Sequence, residues 1–174
     1  MRLIAAVLPL AATAIVAACT STSHAPTRAT AVLEARSGST VTGRVDLTEK
    51  AGQVRAHVEL KGLAPNSEHG FHIHDKGDCS APDAASAGGH YNPTGVAHGR
   101  AGIPPHHAGD LPSLTADSSG AIHADVVVDD VTLAPGPTSI MGRSIVVHGG
   151  RDDFASQPAG NSGPRVACGV IGAK

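Results

Sequence analysis

Seven short strand-like runs, separated by turn-forming residues, constrain the fold of this chain more than any other feature. The runs cover residues 31–36, 40–47, 54–60, 70–74, 121–128, 144–148 and 166–171. Run 54–60 alternates apolar and polar residues, as a half-buried strand does, and no segment shows a sustained helical period with capping residues. The 21 Gly and 12 Pro favour many turns. A single all-β domain is therefore expected within the 174 residues.

Two stretches, residues 75–111 and 149–164, lack this regularity and predict long loops. Long loops without secondary structure in a compact domain are usually either functional or disordered. The chain has 11 histidines, and most of them lie in or beside the first stretch. We therefore interpret the first stretch as functional.

The N-terminus resembles a bacterial lipoprotein signal. Arg2 precedes an apolar run of about 16 residues, which is short for a membrane span, and small residues stand directly before Cys19. The resemblance implies a signal peptide over 1–18 and a lipid on Cys19. Residues 20–29 are rich in Ser, Thr, Ala and Pro, which predicts a flexible tether over 19–30, before a domain over 31–174. An ordinary signal, cut elsewhere, is the alternative. Either predicts an extracytoplasmic protein; a lipidated one would be anchored to the cell membrane or lie in the periplasm or outer membrane.

Charge and cysteine content indicate which partners the chain can have and which cellular compartment it occupies. Without Arg2 the chain has 12 basic and 15 acidic residues, a formal charge of −3, so we expect no nucleic-acid partner. If Cys19 is lipidated, Cys79 and Cys168 remain as a pair. An oxidising compartment favours a disulfide between them, worth roughly 4–5 kcal/mol for so long a loop. Two buried thiols are the alternative.

Seven residues have the types and spacings of metal ligands. Two histidines at i and i+2 on one strand point to the same face, and a third imidazole ends a later strand. A loop that adds three imidazoles and a carboxylate offers a tetrahedral set that suits zinc, whereas four imidazoles without a thiolate suit copper. The seven are His72, His74, His90, His98, His107, Asp110 and His148.

Around these residues the sequence resembles the copper-zinc superoxide dismutases. The matching blocks are residues 69–79, 86–93, 107–112, 146–148 and 163–172, and the resemblance covers roughly 31–174. It implies a Greek-key β-sandwich, or flattened barrel, of about eight antiparallel strands with long metal-binding loops. The resemblance also allows a homodimer but does not decide the oligomeric state.

The resemblance implies a role for each matching residue. His90 would bridge both metals and act in catalysis, and Arg165 would be the catalytic guanidinium beside copper. Asp152 would link a copper ligand to a zinc ligand, and Cys79–Cys168 would be the family disulfide. His107, rather than His106, keeps the family's spacing from His98 to Asp110. The implied copper ligands are His72, His74, His90 and His148. The implied zinc ligands are His90, His98, His107 and Asp110.

The expected function is dismutation of superoxide with Cu(II)/Cu(I) and Zn(II) as cofactors, protecting the cell envelope. The alternative is a membrane-anchored lipoprotein that buffers or delivers copper and zinc, although such a protein has no need of Arg165 or Asp152. The loop over 149–164 is short and sparsely charged for the family. Attraction of the superoxide anion therefore depends mainly on Arg165. We expect His57 and His123 on the surface and His69 in a structural role.

Overall fold

The structure is a computed structural model that describes residues 27–174. The predictions for the signal peptide, for Cys19 and for the tether as far as residue 26 lie outside these residues. Within them the chain forms ten strands and one short 3-10 helix, Ala85–Ala87. The strands are β1 Thr27–Ala35, β2 Thr42–Lys50, β3 Gln53–Lys61, β4 Glu68–His69, β5 Phe71–His74, β6 Leu114–Thr115, β7 Ile122–Val128, β8 Ser144–His148, β9 Arg165–Val170 and β10 Gly172–Ala173.

Eight of these strands form one curled antiparallel sheet. Its order is β5-β8-β9-β1-β2-β3-β7, with β10 paired to β1, while β4 and β6 form a small sheet of their own. The chain passes from β3 to β5 and from β7 to β8 across the sheet rather than to a neighbour, as in Greek-key connections. The expectation of an all-β antiparallel domain of about eight strands is confirmed. No helix within residues 27–174 has the length and apolar content to cross a membrane.

The first strand begins earlier than the sequence suggested. Residues 27–33 pair with β2, from Thr27 opposite Glu49 to Leu33 opposite Gly43. Ala29 and Ala31 are fully buried. Residues 27–30 therefore belong to the sheet and not to the expected tether over 19–30. Their side chains are small or polar and therefore do not predict a strand. The strand is stabilised by the burial of its alanines and by its backbone pairing with β2.

The core is built mainly from Val, Ile, Leu and Ala, as expected for a chain with few aromatic residues. In β3 the residues at 54, 56, 58 and 60 are buried and those between them are exposed, which confirms the predicted alternation. Strands β5 and β8 differ because every residue in them is buried. A second layer must therefore cover their other face.

The long loop after β5 lies along the free edge of that strand. Ile73 donates its N–H to Gly109 O at 2.9 Å, and Tyr91 donates its N–H to Ile73 O at 2.8 Å. The Cys79–Cys168 disulfide joins the same loop to β9, with 5.7 Å between the two Cα atoms. This confirms the predicted disulfide. The loop is thus fixed at both ends of the region that carries the histidines.

Candidate metal centre

Four imidazoles form a first group at the covered face of β5 and β8. One ring nitrogen of each lies within 4.8 Å of the others. Two of the histidines alternate with Phe71 and Ile73 on β5, so the sheet presents both rings to the same side. A third ends β8, and an isolated β-bridge to His74 brings in the fourth from the loop. The first group is His72, His74, His90 and His148.

The hydrogen bonds of the first group orient its rings. His74 Nδ1 donates to Gly88 O at 2.9 Å, and His148 Nδ1 donates to Gly163 O at 3.2 Å. These bonds leave the lone pairs of the Nε2 atoms facing inward. His72 Nδ1 and the Nε2 atoms of His74, His90 and His148 are buried without a hydrogen-bond partner. Unpaired buried polar atoms cost free energy, so the arrangement fits a metal ion at this place.

The protonation of the first group suits metal binding. Burial lowers the pKa of His72 to about 4, although its contact with Asp152 opposes this shift. Burial also lowers the pKa of His148 to about 3 and that of His74 well below its usual value. These imidazoles are therefore neutral near pH 7, and neutral imidazole is the form that ligates metals.

A second group gathers around a buried carboxylate in the loop. Asp110 Oδ1 lies 2.8 Å from His90 Nδ1, 3.0 Å from His98 Nδ1 and 3.2 Å from His107 Nδ1. Asp110 Oδ2 accepts the N–H groups of Gly99 and His107, at 3.0 and 2.8 Å. Burial alone would raise the pKa of Asp110, but these hydrogen bonds hold it far below its usual range. The second group, His90, His98, His107 and Asp110, offers the N₃O set that suits zinc.

His90 belongs to both groups. Its Nδ1 lies in the second group beside Asp110, and its unpartnered Nε2 lies in the first. The two groups therefore share one imidazole. The structure brings together all seven residues that were expected to ligate metal. Which ion each group holds stays a prediction.

Asp152 connects the two groups because its carboxylate contacts one histidine of each. Its Oδ2 lies 2.7 Å from His72 Nε2, and its Oδ1 lies 3.0 Å from His98 Nε2. Those contacts lower the pKa of Asp152 even though burial acts in the opposite direction. Gly160 packs against this carboxylate with φ +65°, and any Cβ there would collide with the Asp152 side chain. The position therefore requires glycine for both space and conformation.

Arg165 lines a cavity that reaches the first group. The cavity has a volume of roughly 340 Å³, and its lining includes His74, His90 and His148. The Arg165 guanidinium donates to Ala84 O and Gly88 O, each at 2.6 Å. Among residues 27–174, Arg165 is the only Lys, Arg, Asp or Glu residue in the lining. Its catalytic role stays a prediction, but it is fixed where an anion entering this cavity would meet it.

The remaining described histidines stay outside both groups. His69 has a partner on each side of its ring: Nδ1 donates to His148 O at 2.8 Å, and Nε2 lies 2.6 Å from Ser67 Oγ. This fits the expected structural role behind the first group. His106 directs Nδ1 to His107 O at 2.9 Å. His57 and His123 are exposed on the sheet, as expected.

Gln157 has a role that no pattern in the sequence indicated. Its Oε1 accepts the N–H of His98 at 2.9 Å, and its Nε2 donates to His98 O at 3.0 Å. The amide thus pairs with the backbone of His98 as a neighbouring strand would. Because this contact joins two irregular loops 59 positions apart, no periodicity in the sequence could indicate it.

A curled antiparallel sheet that carries two imidazole groups with a shared histidine defines a binuclear metalloprotein. Residues 41–171 match the family model described as "Copper/zinc superoxide dismutase (SODC)". The chain belongs to the copper/zinc superoxide dismutase family, and its cofactors are copper and zinc.

Curated relatives agree with this assignment. The chain is 42% identical over 135 residues to "Superoxide dismutase [Cu-Zn] 2" of Aquifex aeolicus, covering 75% of this chain and 79% of that one. It is 42% identical over 149 residues to "Superoxide dismutase [Cu-Zn]" of Caulobacter vibrioides, covering 82% and 84%.

Solved structures agree as well. A double mutant of a SOD-like protein from Bacillus subtilis has a TM-score of 0.74 at 36% identity, covering 80% of this chain and 94% of that one. The clock protein EA4 has a TM-score of 0.77 at 38% identity, covering 86% and 96%.

Proposed function

We propose that this chain dismutates superoxide to oxygen and hydrogen peroxide, with copper in the first group and zinc in the second, outside the cytoplasm. The observation that carries the proposal is the convergence of four unpartnered imidazole nitrogens within 4.8 Å, one of them on the shared His90. When bound, copper supplies one-electron redox chemistry and zinc supplies a fixed positive charge. The chain must supply ligand orientation, attraction of the anion and a proton.

Arg165 supplies the attraction. The whole chain has a formal charge of −2, so its net charge does not favour an anionic substrate. A fixed cation inside a cavity with low-dielectric walls raises the local concentration of an anion despite the overall charge. The two carbonyl groups that hold Arg165 use only part of its five N–H donors. The others remain for superoxide.

His90 is the proposed proton carrier. Dismutation of two superoxide anions consumes two protons, so a group in the cavity must deliver protons to the anion. His90 lines the cavity, and its Nε2 is buried without a partner. Its opposite nitrogen, Nδ1, lies in the second group, 2.8 Å from Asp110 Oδ1, where zinc would hold the ring while Nε2 gains or loses a proton.

We also propose a lipid anchor on Cys19 and a role in protecting the cell envelope. The apolar run after Arg2 and the small residues before Cys19 support export and lipidation. The Cys79–Cys168 disulfide supports an oxidising compartment. Palmitate labelling of the full-length chain in a bacterial host tests the anchor. We expect Cys19→Ser to abolish the label without lowering activity; a labelled Cys19→Ser chain would contradict the assignment.

The activity is tested by loading the full-length chain with both metals and following superoxide decay by pulse radiolysis. We expect decay that is first order in superoxide and proportional to the protein concentration, with two metal ions per chain. Decay that stays second order and is unchanged by the protein, in a chain that holds both ions, would favour metal buffering instead. One ion per chain at saturation would rule out the binuclear assignment.

Arg165→Ala tests the attraction. We expect kcat/KM to fall by about tenfold or more at low salt, because a steering charge raises association rates by 10 to 1,000 fold. We also expect a flatter dependence on salt, measured by pulse radiolysis over a series of ionic strengths. Arg151→Ala is the matched control, because Arg151 lines a different cavity. An unchanged rate for Arg165→Ala at low salt would remove Arg165 from the mechanism.

A further inference from the structure

We propose that Arg143 is a positioning residue for the first group, because its guanidinium fixes the separation between His74 and His90. The inference rests on the proposed function, in which that group holds copper. Arg143 is not a ligand, and it lies directly before β8. Its guanidinium contacts the residue after His74 and the residue after His90 at the same time.

The contact on the His90 side is with Tyr91. The guanidinium carbon of Arg143 lies 3.6 Å from the centre of the Tyr91 ring, a distance that gives a cation–π interaction. Tyr91 is 2% exposed, and its hydroxyl donates to Pro137 O at 2.7 Å. The ring is therefore held on its face and at its tip. This leaves the adjacent backbone of His90 little freedom to move.

The contact on the His74 side is with Asp75. Arg143 Nη1 donates to Asp75 O and to Asp75 Oδ1, both at 2.7 Å. Asp75 in turn donates its N–H to Gly89 O at 2.9 Å, directly before His90. The strand that carries His74 and the loop that carries His90 are thus joined through one side chain.

A third contact ties the guanidinium to its own segment. Arg143 Nε donates to Ser139 O at 2.9 Å, and β8, which starts at the next residue, ends in His148. Three segments that supply first-group histidines therefore meet at Arg143. Lysine could keep the ion pair with Asp75, but it lacks the planar face and the separate Nε donor.

The effect should be larger on the first group than on the second, because His90 is the one residue of the second group that Arg143 positions. Among residues 27–174 no hydrogen bond or ion pair joins Arg143 to His98, His107 or Asp110. The backbone around the second group is held by Asp110 and Gln157 instead. Because His90 is the one residue that the two groups share, loss of Arg143 should weaken copper binding strongly and zinc binding only slightly. A general loss of stability would not produce this selectivity.

The test uses the full-length chain loaded with zinc and then with Cu(II). We expect Arg143→Ala to raise the copper dissociation constant by about 10 to 100 fold, the range for residues that orient ligands. Competition with a chelator measures that constant. The Cu(II) EPR spectrum should change as well, while the zinc dissociation constant should rise by a much smaller factor. Arg143→Lys should give an intermediate constant. Arg44→Ala, which removes an exposed ion pair with Asp46, is the matched control and should match the wild type.

A wild-type EPR spectrum and copper affinity in Arg143→Ala, with only a lower unfolding temperature, would overturn the inference. If that variant does not fold, Tyr91→Leu and Asp75→Ala replace it. The first removes the cation–π contact, and the second removes the carboxylate that accepts from Arg143 Nη1. Wild-type copper affinity in both would also overturn the inference. A wild-type chain that binds zinc but no copper would instead refute the proposed function, and the inference with it.

Discussion

The first group is carried mainly by strands, whereas the second is carried by a loop. Three of the four residues of the first group lie on β5 and β8, where backbone pairing fixes their positions. In the second group every residue belongs to the long loop between β5 and β6. Asp110 there contacts all three imidazoles and accepts two backbone N–H groups. A sheet positions one group and a carboxylate organises the other.

The two groups also differ in charge. The first contains no carboxylate, and burial keeps three of its imidazoles neutral. The second group has a carboxylate at its centre. That carboxylate can stabilise a protonated imidazole in the group when no metal is bound. We therefore expect changes in the first group to abolish activity with little effect on folding. Changes in the second should weaken the fold itself.

His148→Gln should have the largest effect. It removes one nitrogen of the first group from the end of β8 while the sheet remains intact. We expect superoxide decay to fall to the rate of the buffer and copper content to fall, with about one zinc ion per chain retained. Pulse radiolysis and metal analysis measure these quantities. His123→Gln on the exposed face is the control. Loss of zinc together with copper would show that the groups do not form independently.

Asp110→Asn should destabilise the metal-free protein. The side chain is 1% exposed and is the shared partner of three imidazoles. Removing one partner of a buried charged network costs about 3 kcal/mol. Urea unfolding measures the loss. Glu34→Gln, in an exposed ion pair with Arg36, should stay within about 1 kcal/mol of the wild type. Equal stability of both variants would contradict the view that Asp110 organises the loop.

Asp152→Asn should weaken both metals, because this carboxylate contacts His72 of the first group and His98 of the second. An amide has one oxygen, so it cannot accept from both rings. We expect each dissociation constant to rise by about 10 to 100 fold, as measured by chelator competition. Asp153→Asn is the control, since that carboxylate bonds to Ser156 and to the N–H groups of residues 155 and 156. A change in one metal alone would mean that Asp152 does not couple the groups.

The sequence predicted what depends on residue type and spacing, and it missed what depends on long-range contact. The seven ligand-type residues and the disulfide followed from spacing, from the compartment and from a family resemblance. The start of β1 did not, because the side chains of residues 27–30 give no apolar alternation to indicate that they are buried. Gln157 and Arg143 were missed for another reason. Their partners lie in remote irregular segments, which only the folded chain brings together.

The smallest expected effect is on the pH dependence of the metal-free protein. His98 lies between Asp110 and Asp152, 3.0 Å from each. Burial would lower its pKa, but the two carboxylates raise it from 6.5 to about 9. The protonated ring therefore stabilises the fold fully below pH 6.5, and this contribution is lost as the pH rises through about 9.

The unfolding temperature of the metal-free chain should accordingly fall by a few degrees across that window, as measured by calorimetry. The metal-loaded chain should change less, because zinc replaces the proton on Nδ1. His98→Gln should flatten the decline. His57→Gln should keep most of it, since the pKa of His57 is raised by the exposed Asp125 on the sheet surface. A decline of equal size in His98→Gln would show that the proton is not held in the second group. The contrast between the two groups would then lose its electrostatic basis.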